Sequence, residues 1–177
     1  LAAAPDDPAT VALAMAAWRS AGDLDDARDT LEAALAATPG ATELWRARLS
    51  LERADSDAAA TLVERWIAAM PGHVPALEAR MQRAAALADG AAVEAAARAI
   101  LAIDPDRDSA QRFLIDRLTA SDPPAAVAHV EELLARTQDE ARRRPLRQWL
   151  GLVQDRAGRY AQAAATWAAL EAELAPE

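Results

Sequence analysis

The chain contains no cysteine, one phenylalanine, one tyrosine and two histidines in 177 residues. Without thiols there is no disulfide framework and no thiolate chemistry. His73 and His129 lie far apart with no cysteine near either. A transition metal wants three or four convergent ligands, so no metal site is expected from them. Clustered β-branched residues are as scarce as the aromatics, which removes the usual strand signals. No run reaches the roughly 18 apolar residues of a membrane span, and no basic leader precedes an apolar segment. The chain opens on Leu1 rather than methionine, so it is expected to be an excerpt or a processed form of a longer chain. Its compartment stays open between cytoplasm and periplasm. Positive charge is also short, with 19 basic against 28 acidic residues, a net charge of -9 and a pI near 4.8. That balance disfavours nucleic acid and anionic membranes, whose phosphates want a basic surface.

Catalytic patterns are missing as well. There is no glycine-rich phosphate loop and no nucleophile elbow. The many carboxylates fall on helix faces expected to be solvated, and none stands out as a general acid. Asp104, Asp106 and Asp108 alternate as calcium ligands do. A calcium loop then needs glycine at its sixth position and glutamate at its twelfth, where this chain has Ser109 and Ile115. No catalytic residue, cofactor site or metal site is therefore named, and the chain is not expected to be an enzyme.

What is abundant is alanine, leucine, glutamate and arginine, the strong helix formers. Hydrophobic residues make up 53% of the chain. Glycine and proline punctuate them at Gly22, Pro39-Gly40, Pro71-Gly72, Gly90, Pro105, Pro123-Pro124 and Gly158, positions that stop helices. The spacing predicts helices over 8–21, 24–37, 42–54, 58–69, 75–88, 91–102, 108–119, 124–137, 142–157 and 160–173. These pair as five hairpins (8–40, 42–72, 74–106, 108–140 and 142–175) of one repeat domain over 1–177.

The hairpins align on Pro39, Pro71 and Pro105, which are 32 and then 34 residues apart. Each proline follows an apolar trio on one helical face: Ala27, Leu31 and Ala34; Ala59, Val63 and Trp66; Val93, Ala97 and Ile100. One hairpin cannot bury its own apolar face, so such units stack. The last hairpin carries Leu150-Gly151, Gly158, Tyr160, Ala163 and Trp167. The first carries Trp18, Gly22, Leu24, Ala27 and Pro39, with Met15 at a position where a small residue is usual. These residues resemble the tetratricopeptide repeat family. The resemblance covers nearly the whole chain, strongest in the first and last units, while HEAT-like and other α-hairpin stacks remain alternatives. It implies an all-α, right-handed superhelical solenoid of antiparallel helix hairpins. In that register Gly151 lies at a close helix crossing, Gly158 releases the chain into a turn, and Tyr160 packs back over the hairpin. Trp18, Trp66 and Trp167 take core positions, and Trp149 leans toward the preceding unit.

A stack of this kind lines its inner face with first helices, and in proteins of the family that face holds a peptide or helix from a partner. Mapped by spacing, the face includes Ala12, Ala16 and Arg19, then Arg46, Ser50 and Arg53, then Glu78, Gln82 and Ala85. It continues with Arg112, Asp116 and Thr119, and then Gln148, Leu152 and Asp155. The family's carboxylate clamp uses lysine and asparagine at matching places, and this chain has neither there. Arg46, Arg53, Glu78, Arg112 and Asp116 are the candidate partner-binding residues of a protein-interaction scaffold. Arg142, Arg143, Arg144 and Arg147 form the one basic cluster, read as charge balance against the helix before it. Two alternatives accompany the scaffold. One is the non-catalytic repeat region of a larger enzyme, since the last repeat resembles those adjoining bacterial sulfotransferase domains. The other is a self-association module with apolar ends forming a homo-oligomer.

Overall fold

A computed structural model describes residues 6–173. Among them run ten α-helices and no strand: α1 Pro8–Ala21, α2 Leu24–Ala37, α3 Thr42–Leu49, α4 Asp57–Ala69, α5 Val74–Ala86, α6 Gly90–Ile103, α7 Asp108–Ser121, α8 Pro123–Arg136, α9 Glu140–Arg156 and α10 Tyr160–Ala172. The chain divides into two compact units, Leu1–Arg107 with α1–α6 and Asp108–Glu177 with α7–α10. In each, helices adjacent in sequence pack as antiparallel pairs, as α5 does on α6 and α9 on α10.

The acidic excess has a local use. Asp7, Asp23, Asp89, Asp122 and Asp139 precede α1, α2, α6, α8 and α9, and each accepts a bond from a first-turn N–H; Ser56 does so for α4. Such caps satisfy donors that have no partner inside the helix. Helix ends repeat too. Thr38, Met70 and Asp104, each directly before a proline, leave their helices with φ of -138°, -134° and -127° and ψ of 71°, 75° and 89°. Proline bars the preceding residue from helical geometry, so Pro39, Pro71 and Pro105 stop three helices in one way.

The turns inside hairpins one, three and five share a second device. Asp23, Asp89 and Arg159 donate their N–H to the carbonyls of Trp18, Ala84 and Gln154, five residues back. This bond closes a Schellman turn around a residue in left-handed conformation. Gly22 and Gly158 hold that position at φ 73°, but in the third hairpin it falls to Ala88 at φ 55°. Gly90, expected to be the breaker there, is instead the first residue of α6.

Helix α3 corrects the expected span of 42–54, because it ends at Leu49. The Ser50 hydroxyl donates to the Ala47 carbonyl, while Leu51 and Glu52 donate to Arg48 and Leu49, three residues back. These bonds compete with continued helix. At the other extreme α9 starts at Glu140 and runs through Pro145.

Alanine fills the tight positions of the core, with Ala27, Ala76, Ala97, Ala110 and Ala126 fully buried. Volume in the first unit comes from Trp45 and Trp66, whose rings stack at 6.1 Å and 7°. Met15 is buried in the same core, so a long flexible side chain is accommodated there. Trp18 is half-buried against it. Two expectations for the last hairpin are corrected: Trp167 is 40% and Tyr160 69% exposed, so neither is a core residue.

Ion pairs stitch consecutive hairpins of the first unit. Glu32 of α2 holds Arg48 of α3 at 3.0 Å and Arg65 of α4 at 2.8 Å. Glu64 of α4 holds Arg80 of α5 in the same way. Glu32 and Glu64 are 32 residues apart, as are Arg48 and Arg80, so one ion pair recurs in adjacent repeats. Arg65 also lies over the Trp45 ring, 5.6 Å from its centre.

Candidate interaction clefts

Two clefts bring the sequence-named residues together in pairs. In the first unit a cavity of about 310 Å³ lies between α3 and α5, lined by Arg46 of α3 and Ser50 just past its end, Glu78 and Gln82 of α5, and Trp66 of α4. Residues 46 and 50, and 78 and 82, are four apart, so each pair shares a helix face.

The charges here are already engaged. Arg46 bonds Glu43 at 2.8 Å, one turn back on its own helix. Glu78 is buried on α5 and receives two bonds of 2.8 Å from Arg107, whose planar fork matches a carboxylate. His73 directly precedes α5, and its ring shares a 2.9 Å hydrogen bond with Thr42 instead of capping the helix. Burial first, and then the Arg46 guanidinium, push its imidazole below the ordinary histidine value, against the pull of Asp6. Arg53 is a correction. With α3 ended at Leu49 it sits in the turn, 83% exposed and clamped by two bonds to Asp55, not on a first-helix face beside Arg46.

In the second unit a larger cavity, about 650 Å³, separates α7 from α9. Arg112, Asp116 and Thr119 line it from α7, and Trp149, Leu152 and Arg156 from α9. Both trios follow helical spacing, four then three and three then four. Trp149 thus faces the preceding hairpin, as its place before Leu150-Gly151 suggested. Leu152 is 47% exposed within the lining, although α9 has fully buried Val153 beside it.

The register of α9 was misjudged by one residue. Gln148 and Asp155, expected on the inner face, do not line the cleft, whereas Trp149 and Arg156 do. Gly151 and Gln154 are buried on α9 away from the cleft lining, while the buried Val153 borders it. The clue lay in Gln154, whose amide oxygen accepts from Thr166 of α10 at 2.8 Å.

Three arginines of the basic cluster are engaged within their own unit. Arg143 donates to the Leu134 and Thr137 carbonyls at the end of α8, where a cation also meets the negative end of the helix dipole. Arg147 bonds Glu140 and Glu173, and Arg142 reaches Asp108 at 3.2 Å. Asp108 therefore serves an ion pair, and Asp104 accepts the Asp106 N–H within the turn. His129 bonds Gln111 at 2.7 Å. Among the described residues no three His, Asp or Glu side chains gather as a metal cage. No helix among them is long and apolar enough to cross a membrane.

Fold and clefts together define a class: an all-α chain of antiparallel helix pairs with a cleft between two consecutive first helices in each unit. No family model and no curated protein matches the chain. Among solved structures it is similar to a tetratricopeptide repeat protein from Parabacteroides merdae ATCC 43184, at a TM-score of 0.63 and 16% identity. The likeness covers 94% of this chain but 66% of that one, so this chain spans just under two thirds of that length. At such identity the shared property is the fold.

Proposed function

We propose that this chain is a protein-interaction scaffold of the tetratricopeptide type, holding a segment of a partner protein against the first helices of its hairpins. One observation carries the reading. In each unit the cleft lies between two consecutive first helices and mixes arginine with exposed apolar surface, at Arg46 and Arg112 in equivalent places. Interfaces are enriched in this combination of arginine and aromatic side chains. Arg46, Glu78, Arg112 and Asp116 are the contact residues. Arg53 is left out because its turn holds it elsewhere.

The test is isothermal titration of a partner captured on the immobilised chain, comparing wild type with an Arg46→Ala, Arg112→Ala double variant of unchanged circular dichroism. Truncating a used charged contact costs about 2–5 kcal/mol, so affinity falls tenfold or more. Unchanged affinity places the binding surface elsewhere.

A second reading, self-association, is favoured by α10. Residues 160–170 carry no charge in a chain that is 27% charged, and Tyr160 and Trp167 are exposed there. Two copies of net charge -9 repel least across such a face. Sedimentation velocity across a concentration series decides. An Ala164→Glu, Ala168→Glu variant shifts a dimer to monomer, and a wild type that stays monomeric ends this reading.

A further inference from the structure

We infer that the cleft between α7 and α9 receives a peptide segment presenting a bulky apolar side chain next to a single carboxylate. The apolar group rests on Trp149 and Leu152, and the carboxylate is held by Arg112 and Arg156. This rests on the scaffold reading and names the partner chemistry of one of its two clefts.

The argument begins with charge accounting. All 19 basic residues are arginines, and 28 carboxylates surround them. Most arginines with a described role sit on a carboxylate, including Arg142, Arg143 and Arg147 of this unit. Arg112 and Arg156 enter no ion pair among the described residues, although Asp116 lies one turn from Arg112. Two guanidiniums open to a cleft in an acid-rich chain are complementary to a carboxylate brought from outside, which they bind in fixed, forked geometry. The first unit's cleft differs on this point, because Arg46 is engaged by Glu43 and Glu78 by Arg107.

Apolar recognition comes from α9. Leu152 leaves 47% of its surface to solvent beside the half-buried Trp149. The cavity of about 650 Å³ is within the range of built ligand sites. Asp116 sets the limit on charge. It stands in the same lining and repels any anion, so two guanidiniums outweigh it for a lone carboxylate but not for a run of acidic residues or phosphates. That favours a peptide over a nucleic acid.

The experiment selects a phage-displayed library of random dodecapeptides on the whole immobilised chain, then measures enriched peptides by fluorescence polarisation. The expected peptides place Asp or Glu within a few residues of Leu, Ile, Phe or Trp. An R112E/R156E variant weakens them about thirtyfold or more, L152S also weakens them, and R98E, on α6 and lining neither cleft, leaves them unchanged. Replacing the peptide carboxylate by lysine restores binding to R112E/R156E, which a merely misfolded variant does not show. Peptides lost on R46E but indifferent to R112E/R156E overturn this inference and leave the scaffold reading standing. Enrichment of no peptide overturns both. An oligothymidine that binds wild type and is lost on R112E/R156E overturns the inference in favour of nucleic acid.

Discussion

Gly151 of α9 packs directly beneath the indole of Trp167 on α10. A Cβ at residue 151 would stand 2.6 Å from Trp167 Cε2 and 2.9 Å from Cζ2. The glycine is buried while the indole above it is 40% exposed, so the ring closes the crossing from outside like a lid. This explains both the leucine-glycine pair in α9 and the tryptophan seven residues into α10. It also corrects the assignment of Trp167 to the core: its contact is with backbone, at the rim.

Gly151→Ala is therefore expected to displace the indole and cost about 1–3 kcal/mol, the usual range for overpacking. In a Trp167→Ala background the same change becomes neutral or stabilising, because alanine favours a helix interior by about 0.5–1 kcal/mol over glycine. A double-mutant cycle from urea titrations measures the coupling. Equal midpoints for wild type and Gly151→Ala would show that the ring swings out freely.

Ala88 should be improved by glycine. It holds φ 55° at a turn where the first and last hairpins use glycine. A left-handed L-residue costs about 1–2 kcal/mol, and the extra chain entropy of glycine returns part of that. Ala88→Gly is expected to stabilise by about 0.5–1 kcal/mol, raising the thermal midpoint, while Gly158→Ala lowers it. A lower midpoint for Ala88→Gly would contradict the strain.

Glu32 and Glu64 occupy one repeat position but should differ in weight. Glu32 serves two arginines, one of them also over Trp45, whereas the 63% exposed Glu64 serves Arg80 alone. Glu32→Ala is expected to cost about 1–2 kcal/mol, and Glu64→Ala no more than about 0.5 kcal/mol, as for exposed pairs. Denaturation at low and high salt checks the order. Equal losses would mean the shared position, not the network, decides.

Acid should weaken the first unit in two stages. His73 is held below its ordinary pKa of about 6.5, by burial first and then by Arg46. The unfolded chain then binds this proton first, so its contribution is complete above pH about 6.5 and declines as pH falls through that value. The second stage is carboxylate. The bond from Arg65, chiefly, holds Glu32 below the usual glutamate range. Burial pushes Glu52 up, but the Arg48 and Arg28 guanidiniums outweigh it and bring it below that range too. Their stabilisation is present above pH about 4.3 and is lost below it. Stability measured from pH 8 to 3 should show both declines, and His73→Gln should remove only the first. A His73 ring proton titrating above pH 7 would reverse the sign of that stage.

Helix positions were legible because their causes are local. A proline acts on the residue before it, an aspartate on a donor three residues ahead, and an apolar trio on its own face. Pro39, Pro71 and Pro105 therefore marked three helix ends, and the period followed from them. The clefts were half legible. Arg46, Ser50, Glu78 and Gln82, and Arg112, Asp116, Thr119 and Leu152, line them from the faces that spacing indicated. Arg53 failed because one serine hydroxyl ends α3 early. Trp149 was expected to lean toward the preceding unit and does line the cleft there, whereas Arg156 was not expected in it.

The amino-acid sequence alone determined that this chain is helical, where most of its helices lie, and that they repeat as hairpins. Those properties depend on backbone preferences and capping within a turn or two. Only the tertiary structure decided which arginines are occupied. Arg107 lies 29 residues from Glu78, and Arg65 lies 33 from Glu32. Such pairs exist because stacked hairpins bring the side chains within reach, and Coulomb attraction falls with a distance that sequence separation does not state. The same packing leaves Arg112 and Arg156 beside an open cleft, and sets Trp167 over the one residue of α9 that has no side chain.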